Sequence, residues 1–271
     1  LYGNNPEMLA MMKAQMQQAM ANQKDLIAQA QTAAFQAVDA AQNGGQFDPQ
    51  ALIQTLQNNA QSMGVDLNAG SDESREEGYD NAMSYIEQLR TDFTESEPRP
   101  AARGSKEARI FGYLLGGIVG NLNGHELDQL DPEEHEPFFE EKVRTILSEY
   151  WGITNTDELG ETLGDLLEAG GMRGWDIGRA AALVRWGHFV GLIDESTAES
   201  VLEACAEEAC QRFTGWREFG ISYLFGGLFW RMAAGEDAAA EWLDDAASAC
   251  VELLTDEGEW LRYPWVQSLT D

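Results

Sequence analysis

Residues 172–192 read M-R-G-W-D-I-G-R-A-A-A-L-V-R-W-G-H-F-V-G-L, and their spacing decides the fold. Taken as a helix, the stretch sets Trp175, Arg179, Leu183, Trp186 and Val190 along one side at three- and four-residue steps. Ile177, Ala180, Ala181, Val184 and Phe189 fill the neighbouring sectors. Apolar residues go most of the way round, so the helix is expected to be buried on several sides, and its polar members need partners inside the protein. Asp176 and Arg179, three apart, can pair on one face.

Two uses of this cluster stay open at the level of sequence. One is a buried polar network that fixes helix packing. The other is a pocket in which Trp175, Asp176, Arg179, Arg185, Trp186 and Trp216 bind a small anionic ligand and His188 or Glu218 moves a proton. A lone histidine near a helix end is more often hydrogen-bonded in the core than a metal ligand.

Outward from this helix, the remaining segments also carry helical periods, with no period-two strand pattern. The class expected is all-α: a compact multi-helix domain around a Trp/Arg-rich central helix, preceded by an N-terminal helical hairpin. Residues 1–70 form the expected hairpin, rich in Met, Gln and Ala. Met8, Met12, Met16 and Met20 stand at four-residue steps, and Asn43-Gly44-Gly45 separates this helix from a second one opened by Asp48-Pro49. The Met stripe suits either ordinary packing or a pliable surface for a chaperone or for self-association. Residues 71–105 read as one helix followed by the linker T-E-S-E-P-R-P-A-A-R-G-S, and the main domain is expected over 106–271.

In that domain Gly112, Gly116 and Gly120 fall in line on a helix from Lys106, which predicts a close backbone approach to another helix. Pro137 opens a helix closed by Gly152, Asp194 caps the next but two, and Trp260 to Trp265 reads as a tail packed on the core.

Charge bounds the partners. The 271 residues hold 47 acidic and 17 basic side chains, a net of −30, and 13 of the 17 are Arg. Residues 1–70 contribute only five acids and two lysines, so the acidity belongs to the rest of the chain. A field of that sign repels phosphate backbones and anionic bilayers, and favours a basic protein partner. A salt-adapted proteome gives the same signature. The apolar runs Ile110–Val119 and Phe219–Trp230 are shorter than a membrane span of about 20 residues.

Cys205, Cys210 and Cys250 make an odd set without C-x-x-C spacing, as expected of free thiols in a reducing cytoplasm, and no signal peptide is visible. No phosphate-binding glycine loop, nucleophile elbow or zinc spacing is present, so no cofactor and no metal is expected. The acidic run around His135 lacks any known ligand pattern.

The order W-G-I-T-N (151–155), G-W-D-I-G-R-A-A-A-L-V-R-W-G (174–187), G-L-I-D-E-S-T-A (191–198), F-T-G-W-R-E-F-G-I-S-Y-L-F-G (213–226) and Y-P-W (263–265) resembles the bacterial domain-of-unknown-function family typified by the YbeU and YbeR proteins. The resemblance covers about residues 106–265. It implies an all-helical bacterial domain whose characteristic residues fall on Trp175, Asp176, Arg179, Arg185, Trp186, Trp216, Glu218 and Tyr223, with an association with toxin or secretion loci and no established reaction. The reading that combines charge and resemblance is a non-enzymatic interaction module, an adaptor, immunity or secreted-effector component.

Overall fold

The computed structural model describes residues 72–168, 173–233 and 239–271. The hairpin expected over 1–70 lies outside the described residues. The chain divides into two units, residues 72–228 with 240–271 and residues 1–71 with 229–239, and the central stretch belongs to the first.

That stretch is helical, as its pattern dictates. In chain order the described elements are α1 (Asp72–Thr91), β1 (Arg99–Ala102), α2 (Lys106–Leu114), α3 (Gly117–Asn123), α4 (Pro137–Trp151), α5 (Thr156–Glu168), α6 (Arg173–Phe189), α7 (Glu195–Arg212), α8 (Trp216–Ala233), α9 (Ala239–Leu253), α10 (Glu259–Arg262) and β2 (Val266–Thr270). The fold is a multi-helix domain, and α6 is its axis: every residue from Gly174 to Phe189 is buried except Arg179 and His188. Helices α2, α3, α4, α5 and α7 all pack on it.

The local signals place the helix ends. Ser105 accepts from the Ala108 backbone N–H at 3.2 Å to start α2. Asp194 does the same for α7 through Thr197, at 2.8 Å. Pro137 occupies the first turn of α4, and Gly152 ends it in the left-handed conformation, φ 66°.

The glycine line behaves differently from expectation. The helix from Lys106 breaks at Leu115-Gly116, so Gly112 and Gly116 serve different neighbours. A Cβ at Gly112 would stand 3.3 Å from Leu202 of α7, and one at Gly116 would stand 3.1 Å from the Ala182 backbone nitrogen of α6. The break lets the chain lie directly on the central helix, a contact any side chain at Gly116 would hold off.

The Pro-rich run after α1 is more than a linker. Arg99–Ala102 pairs in parallel with Val266–Thr270, Ala101 opposite Leu269 and Ala102 opposite Thr270, with an irregularity between Arg99 and Ala101. Each strand is too short to show an alternating pattern, and the sheet is confined to these two. Just before β1, the Glu95 carboxylate receives the backbone N–H groups of Trp216 (2.8 Å) and Arg217 (2.7 Å) and so caps α8.

Between this sheet and the helices lies an aromatic core. Trp216 and Trp260 stack at 4.9 Å, and Phe111 and Trp265 meet Trp216 at 5.2 and 4.8 Å. The Trp216 indole donates to the Tyr263 carbonyl (2.9 Å) and the Trp260 indole to the Leu114 carbonyl (3.0 Å), so these two rings bury their area with their N–H groups satisfied, while Trp265 Nε1 is buried without a hydrogen-bond partner. Each ring removes on the order of 200 Å² from water, about 5 kcal/mol in transfer terms. The tail expected on the core is therefore part of it.

Candidate functional site

A helix turns 100° per residue, so Asp176 and Arg185, nine apart, lie on opposite sides of α6. This alone divides the polar set of the central helix, and the structure divides the expected site residues among three places.

At the first, Arg179 donates to Asp176 at 2.9 Å, the pair expected from their spacing. The Arg179 guanidinium stands over the ring of Trp175 at 4.5 Å and over Trp151 of α4 at 5.5 Å. Trp175 also meets Tyr223 of α8 and Trp242 of α9, at 4.8 and 5.2 Å. Asp176 is buried and Arg179 nearly so.

At the second, Trp216 and Glu218 sit at the start of α8. Trp216 belongs to the aromatic core. Glu218 reaches back to Thr214, taking its backbone N–H at 2.7 Å and its hydroxyl at 2.8 Å. Glu158 does the same for Thr154 at the start of α5, at 2.7 and 2.8 Å. T-N-T-D-E and T-G-W-R-E are thus two copies of one capping device. Neither Trp216 nor Glu218 joins the polar cluster of α6.

The third place gathers Arg185, Trp186 and His188 against the loop 124–136, between α3 and α4. Arg185, 2% exposed, donates its Nε–H to the Leu130 carbonyl at 3.2 Å and its Nη2–H groups to the carbonyls of Gln129 (2.7 Å) and Glu126. Burial pushes its pKa down to about 10, while the fields of nearby Asp131, Asp128 and Glu126 oppose the fall, so it stays charged at neutral pH. The loop is folded around a cation.

Next to it, the Trp186 indole donates to Nε2 of His125 at 3.1 Å, and His125 Nδ1 meets Glu133 Oε1 at 2.9 Å. An indole only donates, so Nε2 must be an acceptor and Nδ1 must carry the proton given to Glu133. The imidazole is therefore neutral. Burial holds its pKa below the usual value, against the pull of Glu133.

His188 closes the place from the end of α6, its Nε2 3.6 Å from Asp131 Oδ1. His135 approaches the other oxygen of Asp131 at 3.2 Å and stacks on Phe189 at 4.7 Å. All three histidines of the chain thus converge on this loop. His188 Nδ1 and Asp131 Oδ1 are buried without a hydrogen-bond partner.

Sequence reasoning missed His125, Glu133, Asp131 and Glu95. His125 and Asp131 lie in an aperiodic loop more than 50 residues from their α6 partners, Trp186 and His188, and Glu133 joins them through His125. The usable signal was indirect: a buried arginine requires acceptors, and H-E-L-D-Q-L-D-P is a segment whose carbonyls no helix uses.

Chemically, His125 has no free nitrogen to act as a base, Glu218 is spent as a cap, and Arg185 faces main-chain carbonyls. Cys205 and Cys250 are buried, and desolvation pushes the Cys205 thiol up to about 12, far from a reactive thiolate. Among the described residues no group of His, Cys, Asp and Glu could hold a metal ion, and no helix is long and apolar enough to cross a membrane.

Residues 167–265 match the family model described as a protein of unknown function, DUF1266. The match takes in α6 to α10 and leaves α2 to α4, with the histidine-bearing loop, outside it. It is shorter than the resemblance expected from residue 106. No curated protein and no solved structure matches the chain.

Proposed function

We propose that the acidic helical unit is a non-enzymatic interaction module for a basic protein partner, an adaptor, immunity or secreted-effector component working in the cytoplasm. One observation carries the reading: the polar residues of the central helix, His188 Nδ1 apart, are engaged inside the fold, while carboxylates without cations beside them face outward. Helix α5 illustrates it. Asp157, Glu161 and Asp165 follow one another at four-residue steps, all exposed, and the helix holds no Lys or Arg. Such a line keeps its field available for a partner. The order of the W-D-x-x-R-A, R-W-G and W-x-E-F motifs further supports kinship with the bacterial YbeU and YbeR proteins.

The test is recovery of partners from the native lysate on the tagged chain at about 0.05 and 0.3 M salt, repeated with Asp157→Lys, Glu161→Lys and Asp165→Lys together. A basic protein retained at low salt, lost at the higher and lost by the variant supports the module. Retention indifferent to salt and to the charge reversal refutes it.

One observation favours a second reading, a small-anion binder or enzyme: His188 Nδ1 lies buried without a hydrogen-bond partner, on a ring whose Nε2 stands 3.6 Å from Asp131 Oδ1. A thermal-shift screen of small carboxylates and phosphates with wild type and His188→Ala separates the two, since only this reading expects a shift that His188→Ala abolishes.

A further inference from the structure

Helix α4 is docked by few of its apolar residues. Val143 and Leu147 are its buried members. Phe138 is 70% exposed and Tyr150 79%, and among the described residues Leu122 is the other large hydrophobic left outside. Phe139 and Ile146, both half-buried, stand with exposed Tyr150 at i, i+7 and i+11, one line about 17 Å long running beside the buried edge. The Phe138 ring meets Phe139 edge-on at 5.3 Å and widens the strip at its first turn.

Scattered apolar side chains on a surface need no explanation, but a strip on one helix does. Its surroundings say what covers it. Glu134, Glu136, Glu141 and Glu149 are exposed around it, and Glu140 half so. Of the two cations on α4, Arg144 donates to the Val190 carbonyl at the end of α6, which leaves Lys142. A second copy laid on the strip would set these carboxylates against their own images. A cationic surface would neutralise them.

We propose that the α4 strip receives a basic amphipathic segment, a short helix whose apolar side covers the Phe139–Ile146–Tyr150 line and the Phe138 ring packed against its first turn, and whose Lys or Arg residues pair with Glu136, Glu141 and Glu149. This rests on the reading of the unit as an acidic interaction module, and places the contact on α4. The arrangement is the helix-on-groove mode of recognition, with apolar anchors supplying affinity and the rim charges supplying orientation.

The experiment is a fluorescence-anisotropy titration of the full chain with two labelled probes of equal charge. One is a helical Leu/Lys peptide of about eighteen residues, and the other an oligoarginine with no apolar face. Wild type is compared with Phe138→Ser combined with Tyr150→Ser, which leaves Val143 and Leu147 in place; an unchanged melting temperature confirms the fold. The expected result is a margin of about tenfold in favour of the Leu/Lys peptide, erased by the double variant while oligoarginine binding stays the same. Equal binding of both probes by wild type, unaffected by the variant, overturns the strip and spares the acidic module. Failure of both probes to bind overturns the module as well. A dimer seen in sedimentation and dissolved by the double variant gives the strip to a second copy and overturns the proposal.

Discussion

Replacing Arg185 by Ala removes the cation on which the loop 124–136 is folded. Its hydrogen bonds run to the carbonyls of Glu126, Gln129 and Leu130, each from a charged donor. Bonds of that kind contribute about 1.5–3 kcal/mol each, so the gross loss is about 5–9 kcal/mol. Against it stands the cost of burying a guanidinium, several kcal/mol, which the variant no longer bears. The net expectation is a loss of about 3–5 kcal/mol, or a melting temperature lower by about 6–20 °C at 2–4 °C per kcal/mol. Arg185→Lys should fall between the two, since an ammonium keeps the charge but lacks the planar fork.

The second readout is local. The Glu126 amide is held by the Pro132 carbonyl at 2.9 Å, closing the loop on itself, so hydrogen exchange across 124–136 should accelerate in Arg185→Ala more than in α7 or α9. If Arg185→Ala melts within about 2 °C of wild type and the loop exchanges at its former rate, Arg185 is not the clamp. Its role would then have to be sought at a ligand.

Two further outcomes follow from neighbouring features. The His125 imidazole binds a proton less readily in the folded chain than in the unfolded one, so its stabilising contribution is whole above about pH 6.5 and is lost as pH falls through the depressed folded value. Urea midpoints should therefore drop between about pH 7.5 and 5.5, and His125→Gln should flatten that slope; equal slopes would refute the assignment. Glu95→Ala strands two backbone N–H groups at the start of α8 and should cost about 1–2 kcal/mol by thermal melting, whereas an unchanged melt would return residues 94–105 to the status of a linker.

Much of the fold was legible because it rests on a period. The all-round apolarity of α6, the Asp194 and Gly152 helix ends, and the Asp176–Arg179 pair are consequences of residues at most four apart. The site was legible only in part. Arg185 and Trp186 stood out as buried polar groups in need of partners, yet periodicity says nothing of which loop supplies them. Grouping Asp176, Arg179, Arg185 and Trp216 into one pocket assumed that polar residues near each other in sequence share a face. The 180° between Asp176 and Arg185 on the helix, and the 2.9 Å bond that ties Trp216 to Tyr263, place them apart. Glu95 was invisible for a different reason: a carboxylate in a Pro-rich run caps a helix whose start lies about 120 residues later, and no local rule covers such a distance.

The parallel pairing of β1 with β2 joins segments about 165 residues apart, and closing a loop of that length costs about 4–5 kcal/mol of chain entropy. A ladder of three registered pairs cannot repay this alone, so the strands can meet only after the helices between them have drawn their ends together. The sheet is then a late event in folding, absent from the transition state. Changes at Ala101 or Leu269 should consequently leave the rate of folding almost untouched and appear in the rate of unfolding. The two strands act as a latch on the lifetime of the native state.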